Sequence, residues 1–370
     1  MTFDRATASP ADQTTVRRAN LGVVLRHVAA RGSLSRARIA ADTGLTRGTV
    51  SSLVGELIDL ELLRETGETT SPLGVGRPGV ALELADVVVG IGLEVNVDYV
   101  AVSVEDLTGT VAFAPNLGWQ DLPVAAELEE RLDLPVHVEN ESNLAALAEH
   151  WTGAAVGIDD FVCVFGEVGV GGGIVLGGRL FRGSHGFGGE FGHVSVDANG
   201  ALCGCGSRGC VETLVGQESI ARAAGIPPVA GRSSSLTDEL VRRAESAEPE
   251  VVRALDEAGR SLGVALASTF NLFDVQAVVL GGCFGPLAPW LEGAVRRTLQ
   301  ERSLTARAGT FLVLPSAFGD GAAVRGAAAL SLHRVLDAPW SVPAARRRLR
   351  RGRSAAEGER PRKEVAIARG

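Results

Sequence analysis

The sequence predicts an α/β protein in which a small helical module precedes a larger domain of strands and helices. Three observations predict this arrangement. Apolar residues recur at helical spacing from Leu21 to Val28, and two more helical segments follow. From Val87 onward, short apolar runs typical of strands alternate with amphipathic segments typical of helices. One His and three Cys lie between His193 and Cys210, which indicates a metal site in a loop.

Composition places the chain among ordinary globular proteins of two or three domains. Its 370 residues are 45% hydrophobic and 22% charged. No apolar run is long enough to span a bilayer, and the polar first residues lack the apolar core of an export signal. The sequence therefore predicts a cytoplasmic protein without membrane contact.

Charge is distributed unevenly along the chain. Residues 17–52 hold seven Arg and one acidic residue, and residues 341–370 hold ten basic and three acidic residues. The net charge of the whole chain is nevertheless −8. Two basic segments on an acidic body indicate a localised contact with a polyanion.

The helical module has the spacing of a helix-turn-helix. Residues 1–18 lack apolar periodicity and are predicted to be disordered. A first helix is predicted from Asn20, a second over residues 33–43, and a third from the N-cap Thr46 to about Leu60. Gly44 supplies the turn between the second and third helices.

The exposed start of the third helix carries side chains suited to DNA. Arg47, Thr49, Ser51 and Ser52 are short polar residues and one Arg, which fit base edges and phosphates in the major groove. The alternative is an ordinary three-helix module with a solvated face.

A predicted hairpin over residues 62–84 follows the third helix and would form a wing. Its loop contains Arg77 next to Pro78, and a guanidinium there could enter a minor groove. A flexible linker with an incidental Arg is the alternative. The predicted DNA-binding residues are therefore Arg47, Thr49, Ser51, Ser52 and Arg77.

The metal-site stretch contains His193, Cys203, Cys205 and Cys210. One imidazole and three thiolates are a common ligand set for structural zinc, and the interleaved glycines let the loop fold tightly. Unrelated buried thiols or a disulfide are the alternatives, and the absence of an export signal disfavours the disulfide. The expected cofactor is one structural Zn ion.

The same stretch carries a family resemblance. Gly189-Glu190-Phe191-Gly192-His193, followed by the Cys-x-Cys-Gly-x-x-Gly-Cys-x-Glu pattern that ends at Glu212, resembles the signature of the ROK family of repressors and sugar kinases. The resemblance covers about residues 87–336. It implies an actin-like (ribonuclease H-like) sugar-kinase-type domain, with zinc on the His and Cys and a sugar on both Glu and His193. Repressors of this family carry a winged helix in front, as predicted here.

A second part of the predicted sugar site follows a predicted strand over residues 134–138. Asn140 would bond a sugar hydroxyl, and Glu141 stands where the family's kinases carry an Asp as general base. A helix cap with an exposed acid is the alternative. The predicted ligand-binding residues are therefore Asn140, Glu141, Glu190, His193 and Glu212.

The phosphate-binding elements depart from the family's kinases. Gly92, Glu94 and Asn96 occupy the places of the Asp-x-Gly-x-Thr loop, and Val168 replaces a Thr in the Gly-rich stretch 166–178, which could cradle phosphate or form a tight hairpin. The stretch around residues 113–119 is too short to hold the helix and further strand that the family carries there, so the first lobe of the fold is expected to be shortened.

These features predict four segments: a disordered N-terminus (1–18), a winged helix-turn-helix (19–85), a ROK sugar-sensing and dimerisation domain (86–340) and a disordered Arg-rich tail (341–370). The predicted function is a sugar-responsive, DNA-binding transcriptional regulator, acting as a repressor of carbohydrate genes and not as an enzyme. Its expected partners are operator DNA, a sugar or sugar phosphate, and further copies of the chain in a homodimer or higher homo-oligomer. Two alternatives are a sugar kinase with an accessory DNA-binding module and a DNA-binding regulator with a decayed sugar sensor.

Overall fold

A computed structural model of the chain describes residues 12–70, 79–86, 88, 92–93, 104–105, 111–114, 119–167, 169–227 and 233–342. The chain forms two compact units, divided between Val88 and Val89 and again before Arg334. The helices formed by these residues include none with both the length and the apolarity needed to cross a membrane. Predictions about Arg77, Glu94, Asn96, Val168 and residues 343–370 fall outside the described residues.

Among residues 12–70 and 79–86 of the first unit, the structure describes three helices and a three-stranded antiparallel sheet of order β1-β3-β2. The helices are α1 (Gln13–Arg31), α2 (Arg36–Thr43) and α3 (Arg47–Asp59), and the strands are β1 (Leu34–Ser35), β2 (Leu63–Thr70) and β3 (Gly79–Leu84). This is the predicted helix-turn-helix followed by a hairpin. Gly44 ends α2 with a left-handed φ of 74°, a conformation that glycine adopts without steric cost.

Apolar side chains from all three helices and the hairpin form one core in this unit. The predicted inward residues of the first helix, including Leu21 and Leu25, are buried, as are Val50, Leu53 and Leu57 of α3. Burial on this periodic face is the main reason that such short helices are stable.

Two boundaries differ from the prediction. Helix α1 begins at Gln13 rather than near Asn20, because the carboxylate of Asp12 accepts a hydrogen bond from the Thr15 N–H at 2.6 Å and caps the helix. Residues 13–18 are therefore helical and not disordered. Their exposed, polar first turns carry no apolar period, so the sequence pattern missed them. Helix α2 begins only at Arg36, because Leu34 and Ser35 pair with β3.

Residues 334–342 also belong to the first unit. Val335 and Leu336 pack against its core, and Asp337 accepts a hydrogen bond from Arg26 at 2.8 Å. The Arg18 guanidinium lies over the Trp340 ring at 5.5 Å from the ring centre. The predicted domain limit at residue 340 thus differs from the division by packing.

In the described residues of the second unit, strands form two sheets. A five-stranded sheet has the order β11-β10-β7-β8-β9, in which β10 runs parallel to β7 and β11 while β7, β8 and β9 are antiparallel. An antiparallel sheet has the order β4-β5-β6. The strands are β4 (Val104–Glu105), β5 (Val111–Ala114), β6 (Trp119–Leu122), β7 (Phe161–Gly166), β8 (Val170–Leu176), β9 (Arg179–Leu180), β10 (Ala277–Gly282) and β11 (Leu312–Pro315).

Helices cover both faces of the larger sheet. The described helices that follow β6 are α4 (Val124–Leu132), α5 (Glu141–Thr152), α6 (Glu212–Val215), α7 (Gln217–Ala223), α8 (Ser233–Glu245), α9 (Pro249–Phe273), α10 (Phe284–Arg302), α11 (Leu304–Ala308) and α12 (Ala322–Asp337), the last of which ends in the first unit. Val162 and Val164 of β7 face the core formed with α9 and α10, whereas Phe161 and Cys163 face the core that includes α5. This alternation follows from the two-residue period of a strand buried on both faces.

One predicted strand is wrong. Residues 134–138 form no strand, and α5 follows an irregular segment instead. A strand needs a neighbour that accepts and donates its backbone hydrogen bonds, and no described strand lies beside this segment. The prediction that the stretch after Phe113 is too short for a further helix and strand agrees with the structure. Strand β5 ends at Ala114, and its antiparallel partner β6 already begins at Trp119.

Candidate functional site

The candidate DNA-binding surface is the exposed start of α3. The Thr46 hydroxyl accepts a hydrogen bond from the Thr49 N–H at 3.1 Å and caps the helix. Arg47, Ser51 and Ser52 are exposed and Thr49 is half-buried. Because Val50 anchors the opposite face in the core, these side chains stay turned away from it.

One of these residues has a partner that the sequence pattern did not suggest. The Arg17 guanidinium of α1 donates to the Ser52 hydroxyl at 3.2 Å and forms an ion pair with Glu56 at 2.5 Å. Arg17 therefore holds the side of α3 beside the predicted contact residues. Sequence spacing could not reveal this contact, since the two residues lie 35 positions apart.

The structure brings the four predicted metal ligands together. One ligand atom from each of His193, Cys203, Cys205 and Cys210 lies within 4.8 Å of every other. The Cys203 Sγ lies 3.6 Å from His193 Nδ1, and the Cys205 and Cys210 Sγ atoms are 3.6 Å apart. A tetrahedral zinc site with bonds of about 2.3 Å has edges of roughly 3.8 Å. All these cysteines are free, so no disulfide competes.

Backbone hydrogen bonds fold this loop. The Gly206 N–H donates to the Cys203 carbonyl at 2.9 Å, and the Cys203 N–H donates to the Ser207 carbonyl at 2.8 Å. A further bridge pairs Ser195 with Cys210. Hydrogen bonding by the Ser207 backbone holds the pKa of the Cys205 thiol below its usual range, which favours the thiolate that binds metal.

Three of the predicted sugar residues border this loop. His193 Nε2 lies 4.0 Å from a Glu190 carboxylate oxygen, on the other ring nitrogen from the one beside Cys203. Glu212 lies 3.7 Å from the Cys203 Sγ and accepts a hydrogen bond from the Val170 N–H at 3.1 Å. Burial raises the pKa of Glu190, and the negative charge of Glu212 acts in the same direction.

The remaining two predicted residues begin α5. The Asn140 side-chain oxygen accepts hydrogen bonds from the N–H groups of Ser142 and Asn143, so Asn140 is the N-cap and Glu141 the first helical residue. The helix cap of the alternative is thus present, but Glu141 is half-buried rather than an exposed acid. The Asn140 amide nitrogen is the group that could donate to a ligand. Helix α5 packs closely on β8, where a Cβ on Gly173 would lie 2.5 Å from the Ser142 carbonyl.

Sequence reasoning missed two residues that connect these groups. Glu139 accepts hydrogen bonds from Asn140 N–H and Asn143 Nδ2, and it forms a two-point ion pair with Arg182. Arg182 belongs to the segment that leads to Glu190. The position of Glu139 next to Asn140 was a usable signal, but Arg182 lies 43 residues away and gave none.

The chain has similarity to known proteins along most of its length. Residues 78–334 match the model of the ROK family. The xylose repressor of Bacillus subtilis (strain 168) is 26% identical over an alignment of 383 residues. The alignment covers 88% of this chain and 98% of the repressor. A glucokinase of Thermotoga maritima is 28% identical over 313 residues, covering 80% of this chain and 98% of the enzyme.

A solved structure agrees with these relatives. It is a ROK family transcriptional regulator, a homologue of the Escherichia coli MLC protein, which superposes with a TM-score of 0.72 at 25% identity and covers 87% of this chain and 97% of its own. The fold is therefore that of a ROK regulator, with the actin-like, sugar-kinase-type domain. Since the family model spans more than half of the sequence, this chain belongs to the ROK family.

Proposed function

We propose that the chain is a sugar-responsive, DNA-binding transcriptional repressor of carbohydrate genes. The observation that carries this proposal is the union of a helix-turn-helix unit and a ROK domain in one chain, matching a xylose repressor over 98% of the repressor's length. The predicted winged helix-turn-helix (19–85) would bind DNA and the predicted ROK domain (86–340) would bind sugar, although the compact unit that contains the ROK residues ends before Arg334.

The proposed DNA-binding residues are Arg47, Thr49, Ser51, Ser52 and Arg77. The exposure of Arg47, Ser51 and Ser52 on α3 supports a major-groove contact. The chain acts as a homodimer or higher homo-oligomer, and the operator therefore holds two related half-sites about one or two helical turns apart. Because phosphate contacts release counterions, affinity for the operator falls steeply with salt.

His193, Cys203, Cys205 and Cys210 would hold one zinc ion, and the 3.6 Å spacings within the cluster support this assignment. When bound, zinc supplies a structural cross-link, since four protein ligands leave no open position. The side of His193 that carries Nδ1 faces the cysteines, so its Nε2 stays directed toward Glu190. The metal loop thereby fixes Glu190 and Glu212 at the sugar site.

The proposed sugar ligands are Asn140, Glu141, Glu190, His193 and Glu212. Carboxylates and an amide suit the dense hydroxyls of a sugar, and a site built for hydroxyls rejects analogues that lack them. The experiment is calorimetric titration of the full chain with hexoses, pentoses and their phosphates. Heat with at least one of these supports the proposal, whereas none with any would favour a decayed sensor.

A sugar kinase is the second candidate, because the Thermotoga maritima glucokinase also aligns along its whole length. The structure gives an argument against it at Gly92, which stands where the family's kinases carry an Asp. A Cβ on Gly92 would lie 2.1 Å from the Val324 carbonyl and 2.8 Å from the Ala328 nitrogen. The backbone of α12 thus occupies the place of a carboxylate, and we propose that the chain is not an enzyme.

A further inference from the structure

We propose that Glu139 and Arg182 form a positioning pair for the sugar site, holding the start of α5 at a fixed distance from the segment that leads to Glu190. The inference rests on the proposed sugar binding and adds two residues to it. Neither residue contacts the sugar in this proposal. Their role is to set where Asn140 and Glu190 stand before the sugar arrives.

Glu139 contacts both the start of α5 and Arg182. Its side chain is only 8% exposed, although it carries a charge. One carboxylate oxygen accepts from the Asn140 N–H at 3.2 Å and from Asn143 Nδ2 at 3.0 Å. The other accepts from Arg182 Nε at 2.8 Å and Nη2 at 2.5 Å. A carboxylate this deeply buried needs such partners, because burying an unpaired charge is costly.

The hydrogen bonds of Glu139, together with those of the Asn140 side chain, fix the orientation of Asn140. The side-chain oxygen of Asn140 is occupied by the N–H groups of Ser142 and Asn143, at 2.9 and 3.2 Å. Glu139 in turn holds the Asn140 backbone and the Asn143 side chain. With both ends of this turn held, the Asn140 amide nitrogen has one direction available for a sugar oxygen. Such a preset direction lowers the entropy lost when a ligand binds.

Arg182 connects this turn to the other half of the site. The Arg182 carbonyl accepts from the Gly188 N–H at 2.8 Å, which closes the segment 182–188 into a loop directly before Glu190. Two donors of the planar Arg182 guanidinium converge on one Glu139 oxygen, which fixes its geometry better than a single ammonium could. Arg182 thus links the loop that carries Glu190 to the cap of α5.

Loss of the pair should leave the fold intact, because α5 is held elsewhere. Residues 144–148 of α5 are buried. At the far end, Glu149 accepts from the Ser316 hydroxyl at 2.5 Å and from the Ala317 and Ala154 N–H groups. Substitution at Arg182 or Glu139 is therefore expected to keep the fold and to weaken ligand affinity. Arg182→Met should also lower the thermal midpoint more than Glu139→Gln does, because it leaves the buried Glu139 charge without its cation.

The experiment compares full-length variants by calorimetry with D-xylose and D-glucose. The variants are Arg182→Met, Glu139→Gln, their combination, and Arg182→Lys as a conservative rescue. Arg179→Met, an exposed residue on β9, is the matched control. Zinc content and thermal midpoint are measured on every variant, since a purely structural role would lower the midpoint without changing affinity.

For the sugar that wild type binds, each single variant should weaken the affinity by at least about tenfold. The double variant should be no weaker than the worse single one, because coupled residues are non-additive. Arg182→Lys should recover part of the loss, and Arg179→Met should bind as wild type. Wild-type affinity in Arg182→Met and Glu139→Gln, or strictly additive losses, would overturn the positioning pair alone. If wild type gives no heat with either sugar, the titration is extended to the other hexoses, pentoses and their phosphates. Absence of heat with all of them would overturn sugar binding and the pair together.

Discussion

At the scale of single residues, the proposed base-reading side chain is Arg47, an exposed cation at the start of α3. Substitution Arg47→Ala should cost about 1–3 kcal/mol of operator binding if it forms a bidentate contact with guanine. The measurement is affinity for a selected operator and for random duplex DNA. Arg31→Ala, an exposed residue in the last turn of α1, is the control. Equal, wild-type affinity of Arg47→Ala for both DNAs would remove Arg47 as a reader.

The cysteines offer a second prediction at this scale. Cys203→Ser should abolish zinc binding and lower the thermal midpoint, because three ligands cannot close a structural site. Cys163→Ser is the matched control, since Cys163 is equally buried but lies on β7, outside the cluster. Metal content per chain and thermal unfolding measure the effect. Zinc retained by Cys203→Ser, or absent from a stable wild type, contradicts the assignment.

At the scale of elements, the packing of α5 against α12 is unusually close. Gly326 of α12 would place a Cβ 2.0 Å from the Leu144 carbonyl, whereas the exposed Gly293 of α10 would meet only the guanidinium of Arg297 at 3.3 Å. Gly326→Ala should therefore destabilise the fold by about 1–3 kcal/mol through overpacking. Gly293→Ala should be neutral or stabilising by up to about 1 kcal/mol. Denaturant unfolding of both variants tests the contact, and equal stability would contradict it.

The elements also divide into those that the sequence pattern could predict and those that it could not. Helices such as α3 and α9 have a clear apolar face, so their existence followed from spacing. The start of α1 did not, because Asp12 and its exposed first turns carry a capping signal without an apolar one. The segment 134–138 looks like a strand by composition, but strand formation depends on a partner elsewhere in the chain.

The candidate sites show the same division. His193 and the three cysteines are close in sequence, so their convergence could be predicted from spacing and ligand chemistry. Asn140 and Glu190 were identified through the family resemblance, and the structure adds that Asn140 is a helix cap. The contacts of Arg17 with α3 and of Arg182 with Glu139 join residues 35 and 43 positions apart. Such pairs depend on the folded arrangement, which no local pattern contains.

At the scale of the whole molecule, the chain should not phosphorylate sugars at a useful rate. Phosphoryl transfer depends on positioning and neutralising the transferred group, and α12 leaves no room for a carboxylate at position 92. Glu94, Asn96 and Val168 also depart from the kinase pattern in the sequence. A coupled ADP-release assay with ATP, magnesium and a sugar panel measures this. Turnover near about 1–100 per second, as in ordinary kinases, would favour the enzyme.

The most direct measurement joins the two proposed activities in the full chain. Duplexes enriched by the protein from a random pool are titrated with and without D-xylose, D-glucose and their phosphates. We predict that a two-half-site duplex is bound in preference to random DNA and that at least one of these sugars changes its affinity. Since a ligand shifts an equilibrium only through a difference in affinity between two states, the shift would show that the sugar and DNA sites are coupled. No preference for any duplex, or a preferred duplex whose affinity none of the sugars alters, would contradict a sugar-responsive repressor.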